Sequence, residues 1–95
     1  MTHSTEHQRI HTKMVKQVLK DIAIMKKLPY QVVFRRFIEE DIDCTDWFWD
    51  TFYRCFPESN YRYVCYCHDC RHFDLYKTEE DMLGDDTKTS LFFHA

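Results

Sequence analysis

A single glycine, Gly84, serves a chain of 95 residues, and only two prolines, Pro29 and Pro57, accompany it. Tight hairpin turns, bulges and left-handed caps draw on glycine because it alone adopts positive φ without steric cost. A chain this poor in glycine does not read as a turn-rich barrel or sandwich. It also cannot build a phosphate-cradling loop, which needs several glycines for close backbone approach.

The hydrophobic pattern then supplies the elements. Ile10, Met14, Val18, Ile22, Met25 and Leu28 recur at steps of three and four, the spacing of one helix face. Thr5 and Gln8 fit a capping box at its start, and Pro29 ends it by pushing its predecessor out of the helical region. This predicts a first helix over about 5–28. A second is predicted over about 30–41 with Val33, Phe34, Phe37 and Ile38 inward. Ile42-Asp43-Cys44-Thr45 reads as a turn, and Thr45 or Asp46 is expected to cap a third helix over about 45–56. That helix offers Trp47, Phe48, Phe52 and Phe56 for burial.

Beyond Pro57 the pattern changes. Tyr61 to Cys67 is rich in strand formers, and His72 to Tyr76 makes a second short run, so a hairpin is predicted over about 61–76. A helical turn ended by Gly84 is expected over 78–84 and a last strand over about 90–94. The expected fold class is α+β, with three N-terminal helices followed by a small antiparallel sheet. At this length it is expected to be one domain spanning 1–95.

The chain is 44% hydrophobic and 17% aromatic, which excludes disorder of the low-hydrophobicity kind. No apolar run approaches the ~20 residues that cross a membrane, and the first residues lack the apolar stretch of a secretory signal. Five cysteines are too odd a number for a fully paired disulfide set. Reduced thiols or metal ligands in the cytoplasm are therefore expected.

Charge is divided unevenly along the chain. Residues 1–36 hold eight basic side chains against two acidic ones, and the remainder holds five against fourteen. Arg9, Lys13, Lys16, Lys20 and Lys27 form one stripe on the first helix, the pattern of a phosphate-contacting surface or of an ordinary solvated face. Glu39, Glu40, Asp41, Asp43, Asp46 and Asp50 gather where the second and third helices meet. Such carboxylates can imitate a phosphate backbone, or can simply favour a helix N-terminus. The two helices with their short turn loosely resemble a helix-turn-helix unit. Asp46, Asp50, Thr51 and Arg54 on the third helix are a poor set for reading bases, however.

The densest group of possible metal ligands is Cys65, Cys67, His68, Cys70 and His72. Cys67-His68-Asp69-Cys70 is a C-x-x-C turn of the kind that aims two thiolates at one zinc ion. A second pair is needed to complete a tetrahedron, and Cys55, Cys44, Cys65 and His72 are the candidates. The opposing reading is a hairpin whose cysteines are small buried hydrophobes. A redox role would require the C-x-x-C at a helix start within a βαβ unit, and the sequence shows neither. His3, His7 and His11 align at i, i+4 and i+8 and are expected to be solvent-exposed.

No nucleophile–base pair stands beside a predicted cleft, so catalysis is not expected. The leading expectation is a protein-binding module acting as inhibitor or adaptor, its face formed by Asp46, Trp47, Trp49, Asp50 and Tyr53 with Glu39, Glu40 and Asp43. Small size and a split charge fit a virus- or phage-encoded accessory protein, for example an inhibitor of a host nuclease or defence complex. The alternative is nucleic-acid binding through the basic first helix, with one zinc ion stabilising the hairpin.

Overall fold

The computed structural model describes residues 5–84, so the strand expected over 90–94 lies outside the described residues. The order is α1 (Thr5–Lys26), α2 (Tyr30–Ile38), α3 (Ile42–Cys55), β1 (Tyr63–Cys67), β2 (His72–Tyr76) and α4 (Glu79–Leu83). This is an α+β fold in which three helices precede a two-stranded antiparallel sheet and a short helix. No helix among the described residues is long and apolar enough to cross a membrane.

Packing divides the described residues into two compact units, residues 5–13 with 60–84 and residues 14–59. In the second unit, Val15, Val18, Leu19 and Ile22 of α1 are fully buried, as are Val33 of α2 and Cys44, Phe48 and Phe52 of α3. Phe37 packs at a tilt against Phe48, with ring centroids 4.5 Å apart, and Phe48 in turn stacks on Phe52 at 5.7 Å. Aromatic rings each remove a large apolar area from water, so a few of them suffice for a short helical core.

The buried stripe of α1 shares Val18 and Ile22 with the expected one and otherwise differs from it. Ile10 and Met25 are half exposed, whereas His11, Val15, Val18, Leu19 and Ile22 are inside. Apolar residues occupy both of two adjacent stripes, and His11 made the correct one look broken.

Glycine-free turns join the helices. Lys27 takes φ 57° after α1, where the Leu28 amide donates to Ala23 O at 3.0 Å and the Lys27 amide to Ile24 O at 3.3 Å. Glu40 repeats this after α2 with φ 60°; here the Asp41 amide donates to Arg36 O at 3.0 Å and the Glu40 amide to Phe37 O at 3.1 Å. Both are left-handed helix ends of the kind usually given to glycine. α2 therefore stops at Ile38, three residues short of the expected end at 41. The segment Ile42 to Thr45, expected as a turn, is the first turn of α3. Its cap is Asp41, whose Oδ1 accepts the Cys44 amide at 2.9 Å, and neither Thr45 nor Asp46 holds that position.

In the first unit, β1 and β2 pair with Tyr63 opposite Tyr76, Val64 opposite Leu75, Cys65 opposite Asp74, Tyr66 opposite Phe73 and Cys67 opposite His72. Side chains alternate between the faces of a strand. One face thus carries Cys65, Cys67, His72 and Asp74, and the other Val64, Tyr66, Phe73 and Leu75. α4 packs against both strands and buries Met82. Thr78 caps it by accepting the Asp81 amide at 3.0 Å. Gly84 ends it with φ −72°, an ordinary right-handed geometry.

Candidate functional site

Two groups of side chains emerge, one in each unit, and each follows from how its element is built.

The first is the outer surface of α3. Asp43, Asp46 and Asp50 are exposed at steps of three and four, so they share one side of the helix. Tyr53 continues that side one step on. Trp49 stacks on Tyr53 at 5.7 Å with the planes 28° apart. Its indole is steadied from below by edge-on contacts with Phe48 at 4.9 Å and Phe52 at 5.2 Å. The aromatic pair is thereby half-buried and anchored by the core. Ile42, at the start of the helix, is 78% exposed.

Trp47 has a different environment. Lys26 Nζ lies 4.6 Å from its ring centre and the Arg36 guanidinium 4.9 Å. Cations attracted to the ring in this way occupy the surface a partner would use. Asp50 is paired with Arg54 at 2.7 Å. Thr51, placed among the base-reading residues of a helix-turn-helix, is buried at 4% exposure and faces the core. Glu39 and Glu40 are exposed at the corner between α2 and α3. There Asp41 is held below the usual carboxylate range, first by the Cys44 amide and then by the Arg36 guanidinium, which lies 3.1 Å from Oδ1.

The basic residues Arg9, Lys13, Lys16 and Lys20 are all exposed along α1. Lys27 has left the helix in its left-handed turn, so the helical stripe has four members rather than five.

The second group lies at the closed end of the hairpin. Donor atoms of Cys67, Cys70 and His72 all fall within 4.8 Å of one another. Pairing of Cys67 with His72 closes the ladder, and the loop 68–71 carries Cys70 back toward them. Arg71 adopts φ 57° and donates its amide to Cys67 O at 2.7 Å, so a left-handed non-glycine residue completes the turn. The Cys70 amide points at Cys67 Sγ from 3.4 Å. His72, 12% exposed in its side chain, hydrogen-bonds through Nε2 to Asp74 Oδ2 at 3.1 Å.

The other candidate ligands do not join this group. Cys65 is fully buried on the same strand face, two pairs further along the ladder, opposite Asp74. Cys55, at the end of α3, donates its thiol to Asp21 Oδ2 at 3.2 Å, and burial with that carboxylate raises its pKa. Cys44 donates to Val33 O at 3.6 Å, and burial pushes its thiol up to about 11. A thiol that resists ionisation is a poor ligand.

Sequence reasoning missed His11. It was expected in solvent and is 2% exposed. The Leu75 amide donates to its Nδ1 at 3.0 Å, and its Nε2 lies 3.2 Å from the Tyr61 hydroxyl. The ring proton therefore sits on Nε2, and the 3.8 Å approach of Nδ1 to Asp74 Oδ1 is not an ion pair in this tautomer. Thr12 Oγ1 accepts the Phe73 amide at 3.0 Å. These two α1 side chains serve the backbone of β2, a role that spacing along the chain cannot reveal. His3 lies outside the described residues.

Comparison with known protein families, with characterised proteins and with solved structures gives no match.

Proposed function

We propose that this chain is a protein-binding module that acts as an inhibitor or adaptor of a partner with a basic surface, through the outer side of α3. The observation that carries the reading is the juxtaposition of three exposed carboxylates, Asp43, Asp46 and Asp50, with a core-anchored Trp49–Tyr53 stack. Aromatic rings held rigid lose little entropy on binding and supply large contact area, which is why Trp and Tyr dominate binding hot spots. The carboxylates give long-range attraction and register. Trp47 is not part of the contact in this reading, because Lys26 and Arg36 cover its ring. Nothing in the reading requires catalysis.

The experiment is affinity capture from the source cell, split into nuclease-treated and untreated halves, followed by binding measurements with the captured partner. Asp46→Lys, at an exposed site that leaves the core untouched, is expected to weaken binding at least tenfold. Trp49→Ala is expected to weaken it by about thirtyfold or more, the hot-spot range of ~2 kcal/mol. A captured complex indifferent to both substitutions refutes the assignment of this face. Capture that disappears with nuclease, and that is lost on charge reversal at Lys13, Lys16 and Lys20, points to α1 and nucleic acid instead.

A further inference from the structure

We infer that Cys67, Cys70 and His72 form a zinc site at the closed end of the hairpin, with Asp74 as the residue that orients the histidine. Three independent features point the same way. The first is convergence: two sulfurs and an imidazole nitrogen, from three residues, already lie within 4.8 Å of one another. Ligands of a tetrahedral zinc sit about 2.0–2.3 Å from the metal. Their mutual separations are then a little under 4 Å, so rotations of side chains on a fixed backbone close the gap.

The second is the backbone. Cross-strand pairing of Cys67 with His72 fixes two ligands on one face of the sheet. The left-handed Arg71 turns the chain so that Cys70 returns to that face, and the Cys70 amide lies 3.4 Å from Cys67 Sγ. That contact holds Cys70 against the sulfur of Cys67, so the two thiol-bearing residues are kept together by the backbone itself. A hairpin needing only a place for small buried hydrophobes has no use for this arrangement, and Cys70 is exposed.

The third feature is the histidine's partner. Asp74 is 3% exposed, and its Oδ2 lies 3.1 Å from His72 Nε2. A ring whose Nε2 is engaged by a carboxylate is fixed in orientation and has Nδ1 left to offer a metal. A carboxylate behind a liganding histidine is the usual support of zinc centres. Sulfur with nitrogen donors selects zinc over magnesium or calcium, which prefer oxygen. With three protein ligands, the fourth position goes to water or another donor.

The test uses the full, untagged chain, reduced and stripped of metal, and then titrated with cobalt(II) and with zinc. One equivalent of cobalt is expected to give thiolate charge-transfer absorption and tetrahedral d–d bands. Zinc is expected to displace it and to raise the melting temperature. Cys70→Ser changes an exposed position and so keeps the fold; it is expected to abolish the charge-transfer band's full intensity and to weaken zinc binding at least tenfold. His72→Gln is expected to do the same. Asp74→Asn is expected to keep one equivalent of metal while weakening binding by about 10–100-fold, the range for such supporting groups. Cys55→Ser is expected to change nothing. A folded chain that takes up no metal overturns the proposal. So does metal binding that survives Cys70→Ser undiminished or that is lost with Cys55→Ser.

Discussion

Replacing His11 with leucine tests the most specific reading of the hairpin unit. The substitution keeps a buried side chain of similar bulk but removes the acceptor of the Leu75 amide and the partner of the Tyr61 hydroxyl. A buried amide left without an acceptor costs roughly 1–3 kcal/mol. Losing the Tyr61 bond adds about 0.5–1 kcal/mol, reduced because Tyr61 is half-buried and can turn to water. The extra apolar burial of leucine returns about 1 kcal/mol. The net expectation is a loss of about 2 kcal/mol. A chain of this length has roughly 5–14 kcal/mol in all, and for this size each kcal/mol moves the melting temperature by about 5 °C. His11→Leu should therefore melt about 10 °C lower by circular dichroism. Hydrogen exchange at the Leu75 amide should accelerate by about thirtyfold if the opening is local. His11→Asn, whose side-chain oxygen can stand where Nδ1 stood, should lose less than half as much. A leucine variant melting within 2 °C of the parent, with Leu75 as protected as before, refutes the claim that the ring serves that amide.

Two further outcomes follow from shifted ionisations. Asp41 has a folded pKa below its unfolded value, so its contribution is present above about pH 4 and is lost as pH falls through the folded value. Asp41→Asn should then be less stable than the parent at pH 7 in urea titrations, with the difference vanishing near pH 2; a gap that persists at pH 2 would show the carboxylate charge to be irrelevant. Cys44, buried with a pKa of about 11, should be far slower than Cys70 to react with an alkylating reagent at pH 8 in the metal-free folded chain. Mass mapping of the modified thiols reads this, and comparable rates would contradict the burial described for Cys44.

Much of the architecture is legible in the sequence, and the misreadings have physical causes. The periodicity of α1 and the change to alternating strand formers after Pro57 are strong signals because each repeats over several residues. The helix ends are weak signals here because Lys27 and Glu40 hold left-handed positions where a reader looks for glycine. Asp41 was hidden as a cap among neighbouring acidic residues, and so α3 starts three residues earlier than expected. At the hairpin, Cys67, Cys70 and His72 were all visible as ligand types. Choosing them over Cys55 and Cys65 needed the strand register and the thiol contact with Asp21. On α3, the acidic side follows from helical spacing, whereas the cations over Trp47 come from α1 and α2 and cannot be counted from α3 alone.

The Phe73 and Leu75 amides of β2 depend on Thr12 and His11, 61 and 64 residues earlier in the chain. During synthesis the helix side chains are made first and wait for a strand made well after them. At about 5–20 residues per second the wait is several seconds. Through that interval neither the helix start nor the later strand edge has its partner, and an unpaired edge is a template for association with other chains. Among the described residues two side chains of α1 close this edge, so the seconds before they meet are when the growing chain is most exposed to aggregation.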